Sequence, residues 1–252
     1  MFTGIGLISF FSIACAAALG FFIGRRLPED NRSDSTQRTV QLVMNAVAIL
    51  SALVLGLLVA SAKTNFDTTT SEVEQFSASL SLLDRDLSRL GSEGAALRGS
   101  LRDYTTKMLT LTWPTLYGGS SNAHLNETEQ ILDDMQDQLR SKAQADAQVM
   151  TRASALQIIG ELRRTSRLLI LQESIRTPRP FLAIVIFWLG MLYLSYAVFA
   201  PPNRTVVGAM IISAISVSIA LNVIVDMDRP FVGFVKVSPT PVRQALDQMN
   251  AQ

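Results

Sequence analysis

The chain has 252 residues, of which 48% are hydrophobic and only 17% charged, and its mean hydropathy is positive at +0.29. An ordinary soluble domain carries about 25% charged residues, so part of this chain is built for an apolar solvent. A net charge of +1 without a basic stripe or tail argues against a nucleic-acid partner, and the one cysteine, Cys15, rules out an intramolecular disulfide.

Gly4 to Gly24 is the first of four apolar stretches; the others are Val40 to Ala62, Phe181 to Phe199 and Val206 to Val225. Each is about twenty residues long, enough at about 1.5 Å per residue to cross a hydrocarbon core of about 30 Å. None contains Asp, Glu, Lys or Arg, any one of which costs about 2.5 to 3.5 kcal/mol at the centre of a membrane helix. Met1-Phe2-Thr3 carries no positive side chain and the run is longer than a signal core, so an uncleaved transmembrane helix is predicted there.

The connection from Arg25 to Thr39, rich in Arg, Asp and Ser, reads as an exposed loop. In the second span Asn45, Ala48, Ala52, Leu55 and Val59 share a face at helical spacing. Small residues with one Asn make either a packing seam or the lining of an oligomeric pore.

The middle, Lys63 to Pro180, opens on a 3-4 repeat of Val73, Phe76, Leu80, Leu83, Leu87 and Leu90, continued by Gly94, Leu97, Leu101, Tyr104, Met108 and Leu111. That is the seam spacing of packed helices. No strong breaker separates the second span from Gly91, so the span is predicted to run on as a stalk. Gly91, Gly94 and Gly99 then predict a kink or a short break. Trp113-Pro114 and the run Gly118 to Asn122 form a turn. A second long helix follows from Asn126 or Glu127, with Leu132, Met135, Leu139, Lys142, Asp146, Val149, Ala153 and Leu156 on its seam. Lys142 and Asp146 make an i,i+4 ion pair at a wetter level of the bundle, or a gating pair.

His124, the only histidine, sits in a polar turn without zinc-like neighbours. Asp133, Asp134 and Asp137, after Glu127 and Glu129, favour the positive end of a helix, which needs no cation; weak divalent binding is the lesser alternative. No metal site, cofactor or catalytic constellation is predicted, and no enzyme.

Pro201, Pro202 and Asn203 turn the third span into the fourth, where Ser218, Asn222 and Asp226 stand four apart as a polar stripe reaching the membrane surface. Such a stripe serves interhelical hydrogen bonding, or else permeation or proton handling. Pro230 stops the helix, Gly233 permits a turn, and Thr240-Pro241 begins a short C-terminal helix. The predicted fold class is an all-α membrane protein: four transmembrane helices in two hairpins with an inserted helical-bundle domain. Its parts are a first hairpin over 1–62 (helices 4–24 and 40–62), a helical domain over 63–180, a second hairpin over 181–225 (helices 181–199 and 206–225) and an interfacial tail over 226–252.

The tail resembles that of the bestrophin-like family of membrane proteins, in which the last membrane helix runs into an acidic-Pro-Phe-x-Gly segment and a short valine-serine stretch. The resemblance rests on Asp226, Asp228, Pro230, Phe231, Gly233, Val237 and Ser238, with weaker matches at Ala62 to Asp67 and Arg102-Asp103-Tyr104. It implies a homo-oligomer, a pentamer by analogy with bestrophins, whose second spans line an anion-permeable pore, with a helical domain in the cytosol. The aromatic and aliphatic neck residues of bestrophins have no counterpart in this Ala-, Val- and Leu-rich second span, and no calcium clasp is recognisable.

Charge divides the topology. Arg25, Arg26, Arg32 and Arg38 lie in the first connection; Lys63, Arg163, Arg164, Arg167, Arg176, Arg179, Arg229, Lys236 and Arg243 form a larger group near the middle domain and tail. The larger group and the resemblance put the middle domain and both termini on the cytoplasmic side of a bacterial inner membrane. Two functions fit these features: an oligomeric ion channel in the lipid bilayer, and a membrane-anchored helical scaffold or sensor whose heptad seam engages a partner.

Overall fold

The computed structural model describes residues 4–28, 33–117, 123–141, 148–172 and 179–251. Among them the chain forms helices α1 (Gly4–Arg26), α2 (Asp34–Arg89), α3 (Ser92–Thr112), α4 (Pro114–Tyr117), α5 (Ala123–Ser141), α6 (Val149–Gln172), α7 (Arg179–Phe199), α8 (Arg204–Met227) and α9 (Thr240–Ala251), with no strand. Four of these, α1, α2, α7 and α8, are long and apolar enough to cross a membrane. The chain divides into two compact units: a membrane unit of 1–65, 176–229 and 233–235, and a helical unit of 66–175, 230–232 and 236–252.

In the membrane unit α1 packs on α7 and α8, through a side made of small residues: Gly6, Ser9, Ala17, Gly20 and Gly24 around Ile13. A Cβ at Gly20 would strike the Leu194 carbonyl and stand 2.7 Å from Ala197 Cβ, and one at Gly24 would strike the Val198 carbonyl. The partner number rises with the α1 number, so α1 and α7 run parallel. Hydrophobic burial gives little drive between helices in lipid, and close backbone approach takes its place. At the turn between α7 and α8, Asn203 caps α8 by accepting from the Val206 N–H at 2.8 Å, the usual role of Asn at that position. Leu58 and Ala62 of α2 pack with Val185 of α7 and Leu221 and Ile224 of α8.

α2 is a single helix of 56 residues, as the absence of a breaker predicts, and the chain passes from one unit to the other within it. At its end the glycines do more than kink. Gly91 takes φ +65, which disfavours any residue with a Cβ, and α3 returns along α2. Arg98 pairs with Asp84, the Tyr104 ring lies 6.3 Å from Phe76, and Gly94 sits so close to the Leu87 carbonyl that a Cβ would collide with it. The heptad seam therefore folds on itself: Leu80, Leu83, Leu87 and Leu101 are fully buried, and Val73, Phe76, Tyr104 and Met108 nearly so. Burial pushes the Tyr104 phenol above its ordinary range.

α5 and α6 add the second layer, pairing Arg163 with Asp133 and Arg167 with Glu129, so that they too run antiparallel. The acidic cluster on α5 is thus partly matched by arginines of α6. The register predicted for α6 is wrong. Val149 is exposed and Ala153 with it, while Arg152, Ala155, Ile159, Leu162 and Leu169 are buried. One seam carried across 142–147 cannot fit two separate helices. Lys142, Asp146, the Gly118–Asn122 turn and the His124 side chain lie outside the described residues. α9 closes the unit by burying Val242, Ala245 and Met249. Ser77 Oγ donates to the Pro241 carbonyl at 2.7 Å, and the Arg102 guanidinium donates to that of Met249.

Candidate functional site

The exposed circumference of α2 within the membrane unit has two chemistries. Leu42, Ile49, Leu53 and Leu57 form a bulky apolar arc, each more than 60% exposed. Ser51, Leu58 and Ala62 mark the buried side. At about 3.6 residues per turn, Asn45, Ala48, Ala52 and Val59 lie between the two, as a narrow edge of small side chains and one amide. Asn45, Ala52 and Val59 are exposed and Ala48 is half-buried. Leu55, which the sequence spacing groups with them, turns toward the unit's interior and packs on the cluster of Leu58, Val185 and Leu221. Gly56 lies on the exposed edge in its place, without a neighbour within 4 Å of where a Cβ would stand.

The polar stripe of α8 lies on that helix's buried side, where Ser218, Asn222 and Asp226 are 2%, 9% and 1% exposed. The Asp226 carboxylate is held by the tail that follows it. Its Oδ2 accepts from the Phe234 N–H at 3.3 Å and from Asn222 Nδ2 at 3.5 Å. Gly233 has φ +131, and a Cβ there would stand 3.3 Å from both the Asp226 carboxylate carbon and its Oδ1. The glycine thus meets a backbone demand and leaves room for the carboxylate. Ser218 Oγ and Asp226 Oδ1 make no hydrogen bond among the described residues. Asp226→Ala is expected to lower stability by about 1 to 3 kcal/mol, because the Phe234 N–H loses its acceptor. Asp226→Asn keeps an acceptor oxygen and is expected to lose less. Thermal unfolding in detergent checks the order of the two.

In the helical unit, Pro230 and Phe231 are buried. Phe231 meets the Trp113 ring edge-on, with centroids 5.4 Å apart at 83°. Trp113 Nε1 donates to the Val237 carbonyl at 2.9 Å, and the Val237 N–H donates to the Pro230 carbonyl at 2.7 Å. The short valine-serine stretch is thereby fastened as a backbone-bonded turn.

A family model described as a Bestrophin-like domain matches residues 11–242, nearly the whole chain. The chain belongs to the bestrophin-like family. Solved structures agree with it in fold. A crystal structure of a bacterial bestrophin homologue from Klebsiella pneumoniae superposes with a TM-score of 0.67 at 13% identity, covering 95% of this chain and 99% of that one. A variant of that homologue gives 0.66 at 12% identity over 100% of both chains. A crystal structure described only as a membrane protein gives 0.66 at 13% identity, over 95% and 99%. No curated protein matches.

This bestrophin-like chain is an integral membrane protein by its four apolar helices and its family. Its fold brings Asn222, Asp226 and Gly233 together, with Ser218 on the same buried side one turn before Asn222, and separately Phe231 with Trp113. Sequence reading did not find Trp113 as the anchor of the tail, although a Trp before a proline was a visible signal. Nor did it single out Gly20 and Gly24, whose Gly-x-x-x-Gly spacing marks close helix packing.

Proposed function

We propose that this bestrophin-like protein assembles as a homo-oligomer, a pentamer by analogy with bestrophins, and conducts ions along an axis lined by α2. Anions are the conducted class by the same analogy. The observation that carries this reading is the small, partly polar edge of Asn45, Ala48, Ala52 and Val59, unpartnered beside a bulky apolar arc. A lone helix in lipid gains nothing from an exposed amide. Around a symmetric axis, the same edge gives a wettable lining and the bulky arc a contact for lipid or a neighbour. The helical unit and both termini face the cytoplasm of a bacterial inner membrane. The chain works by permeation and carries out no chemical reaction.

Purified protein in liposomes tests this. Wild type is expected to pass a halide, and Ala52→Trp to cut that flux at least tenfold, while Leu57→Trp on the apolar arc leaves it within about twofold. A protein that stays monomeric in detergent, or equal effects of the two tryptophans, sinks the reading. The scaffold alternative has lost its motive, because the seam meant to engage a partner is buried within its own unit. Absence of flux together with a reproducible co-purifying protein would restore it.

A further inference from the structure

Between α1, α7 and α8 the membrane unit has a half-open apolar slot of about 270 Å³, lined by Phe10, Ala14, Phe21, Tyr193, Met210 and Ala214 among others. Its only polar lining group, the Tyr193 hydroxyl, is already engaged with Ser213 Oγ at 2.6 Å. A water molecule needs two to four polar partners, and one hydroxyl already bonded to Ser213 falls short of that. In helices of membrane-crossing length its natural filling is hydrocarbon.

What makes it more than a gap is the charge at one end. α1 and α7 run parallel, so the end of α1 and the start of α8 lie at the same end of the unit. On α1, Ala14, Ala18, Phe21 and Arg25 follow one another at steps of four, three and four; the first three line the cavity, and Arg25 lies one turn beyond. On α8, Arg204 stands one turn before Val207, Ile211 and Ala214, which line the other wall. Both arginines are exposed, and Arg26 beside them holds its guanidinium 4.2 Å over the Phe22 ring. A dry slot that ends in guanidinium groups about one helical turn, some 5 Å, from its last apolar residues matches a lipid with an acyl chain below an anionic phosphate.

We propose that the α1–α7–α8 slot binds an anionic glycerophospholipid, one acyl chain in the cavity and the phosphate against Arg25 and Arg204. The site stands whether or not α2 lines a pore. Guanidinium forks suit phosphate oxygens better than a point charge does. The short residues Ala14, Ala18 and Ala214 leave the room that the chain fills.

Native mass spectrometry of the detergent-purified full chain, titrated with phosphatidylglycerol and with phosphatidylcholine of the same chain length, tests the assignment. Wild type is expected to retain phosphatidylglycerol preferentially. Arg25→Gln with Arg204→Gln is expected to weaken that binding by roughly thirtyfold, the effect of two basic groups at a membrane surface. Binding of phosphatidylcholine should not change in that variant. Ala18→Phe, at an exposed position on the rim, should reduce both lipids without touching the core. Equal binding of the two lipids by wild type, or an unchanged titration in the arginine variant, overturns the proposal. So does a change of oligomeric state in Ala18→Phe with lipid binding intact, which would mean that a second copy fills the slot.

Discussion

Trp113→Ala is expected to destabilise the helical unit by about 3 to 5 kcal/mol, the usual cost of removing a buried aromatic, and to free the tail. Trp113 is 2% exposed, stacks edge-on against Phe231 and donates to the Val237 carbonyl. Its removal opens a cavity, leaves the Phe231 ring without its partner and strands a carbonyl. Trp113→Phe separates these effects. It keeps a ring for Phe231 and loses the donor, so a smaller loss of about 1 to 2 kcal/mol is expected. Thermal unfolding followed by circular dichroism reads the stability, and limited trypsin digestion reads the tail at Lys236, which is exposed. If Trp113→Ala unfolds near the wild-type temperature, or its tail is cut no faster, the anchoring role fails.

The contrast between what the sequence disclosed and what it hid follows from the range of the interactions. The spans are local: an uncharged run of about twenty residues meets a solvent of fixed thickness, so α1, α7 and α8 are legible end to end. The seam from Val73 to Leu111 is also local, and every member of it is buried. What the seam could not convey is that its two halves face each other, because a period does not say whether a helix continues or returns at Gly91. From α5 to α6, two helices that run antiparallel, the same reasoning carried one register over and lost it. On α2, Asn45, Ala48, Ala52 and Val59 share one side as their spacing implies, whereas Leu55 turns to α7 and α8, which no local spacing could disclose. Trp113 and Phe231 meet only through tertiary packing, and no spacing rule links residues so far apart. The stripe of Ser218, Asn222 and Asp226 was visible as spacing, yet its role in holding the Phe234 backbone depends on a loop geometry that Gly233 alone makes possible.

Breaking the ion pair between Asp84 and Arg98 is the second change with a large expected effect. Arg98 grips Asp84 with two parallel bonds, Nε to Oδ1 at 2.7 Å and Nη2 to Oδ2 at 3.0 Å, and the carboxylate is only 7% exposed. The hydrogen bonding to Asp84 raises the Arg98 guanidinium above its ordinary range, and an arginine is charged there in any case. Asp84→Ala is expected to cost about 3 kcal/mol, because a poorly solvated guanidinium loses its counter-charge. The cost lies in the desolvated guanidinium rather than in the attraction itself, so Asp84→Ala with Arg98→Met should recover a substantial part of it. A double-mutant cycle in chemical denaturation, with Arg98→Met as the second single variant, measures this: a loss in the double variant equal to the sum of the two single losses would refute a coupled pair. The pair sits about two turns from Gly91 and about one turn from the close approach of Gly94 to Leu87. A bidentate geometry has one productive alignment, whereas Leu80, Leu83 and Leu87 could interdigitate with α3 in neighbouring registers. Asp84 and Arg98 are therefore expected to select the register in which the hairpin closes. A double variant that regains stability but shows broadened side-chain resonances in the hairpin would be the signature of that role.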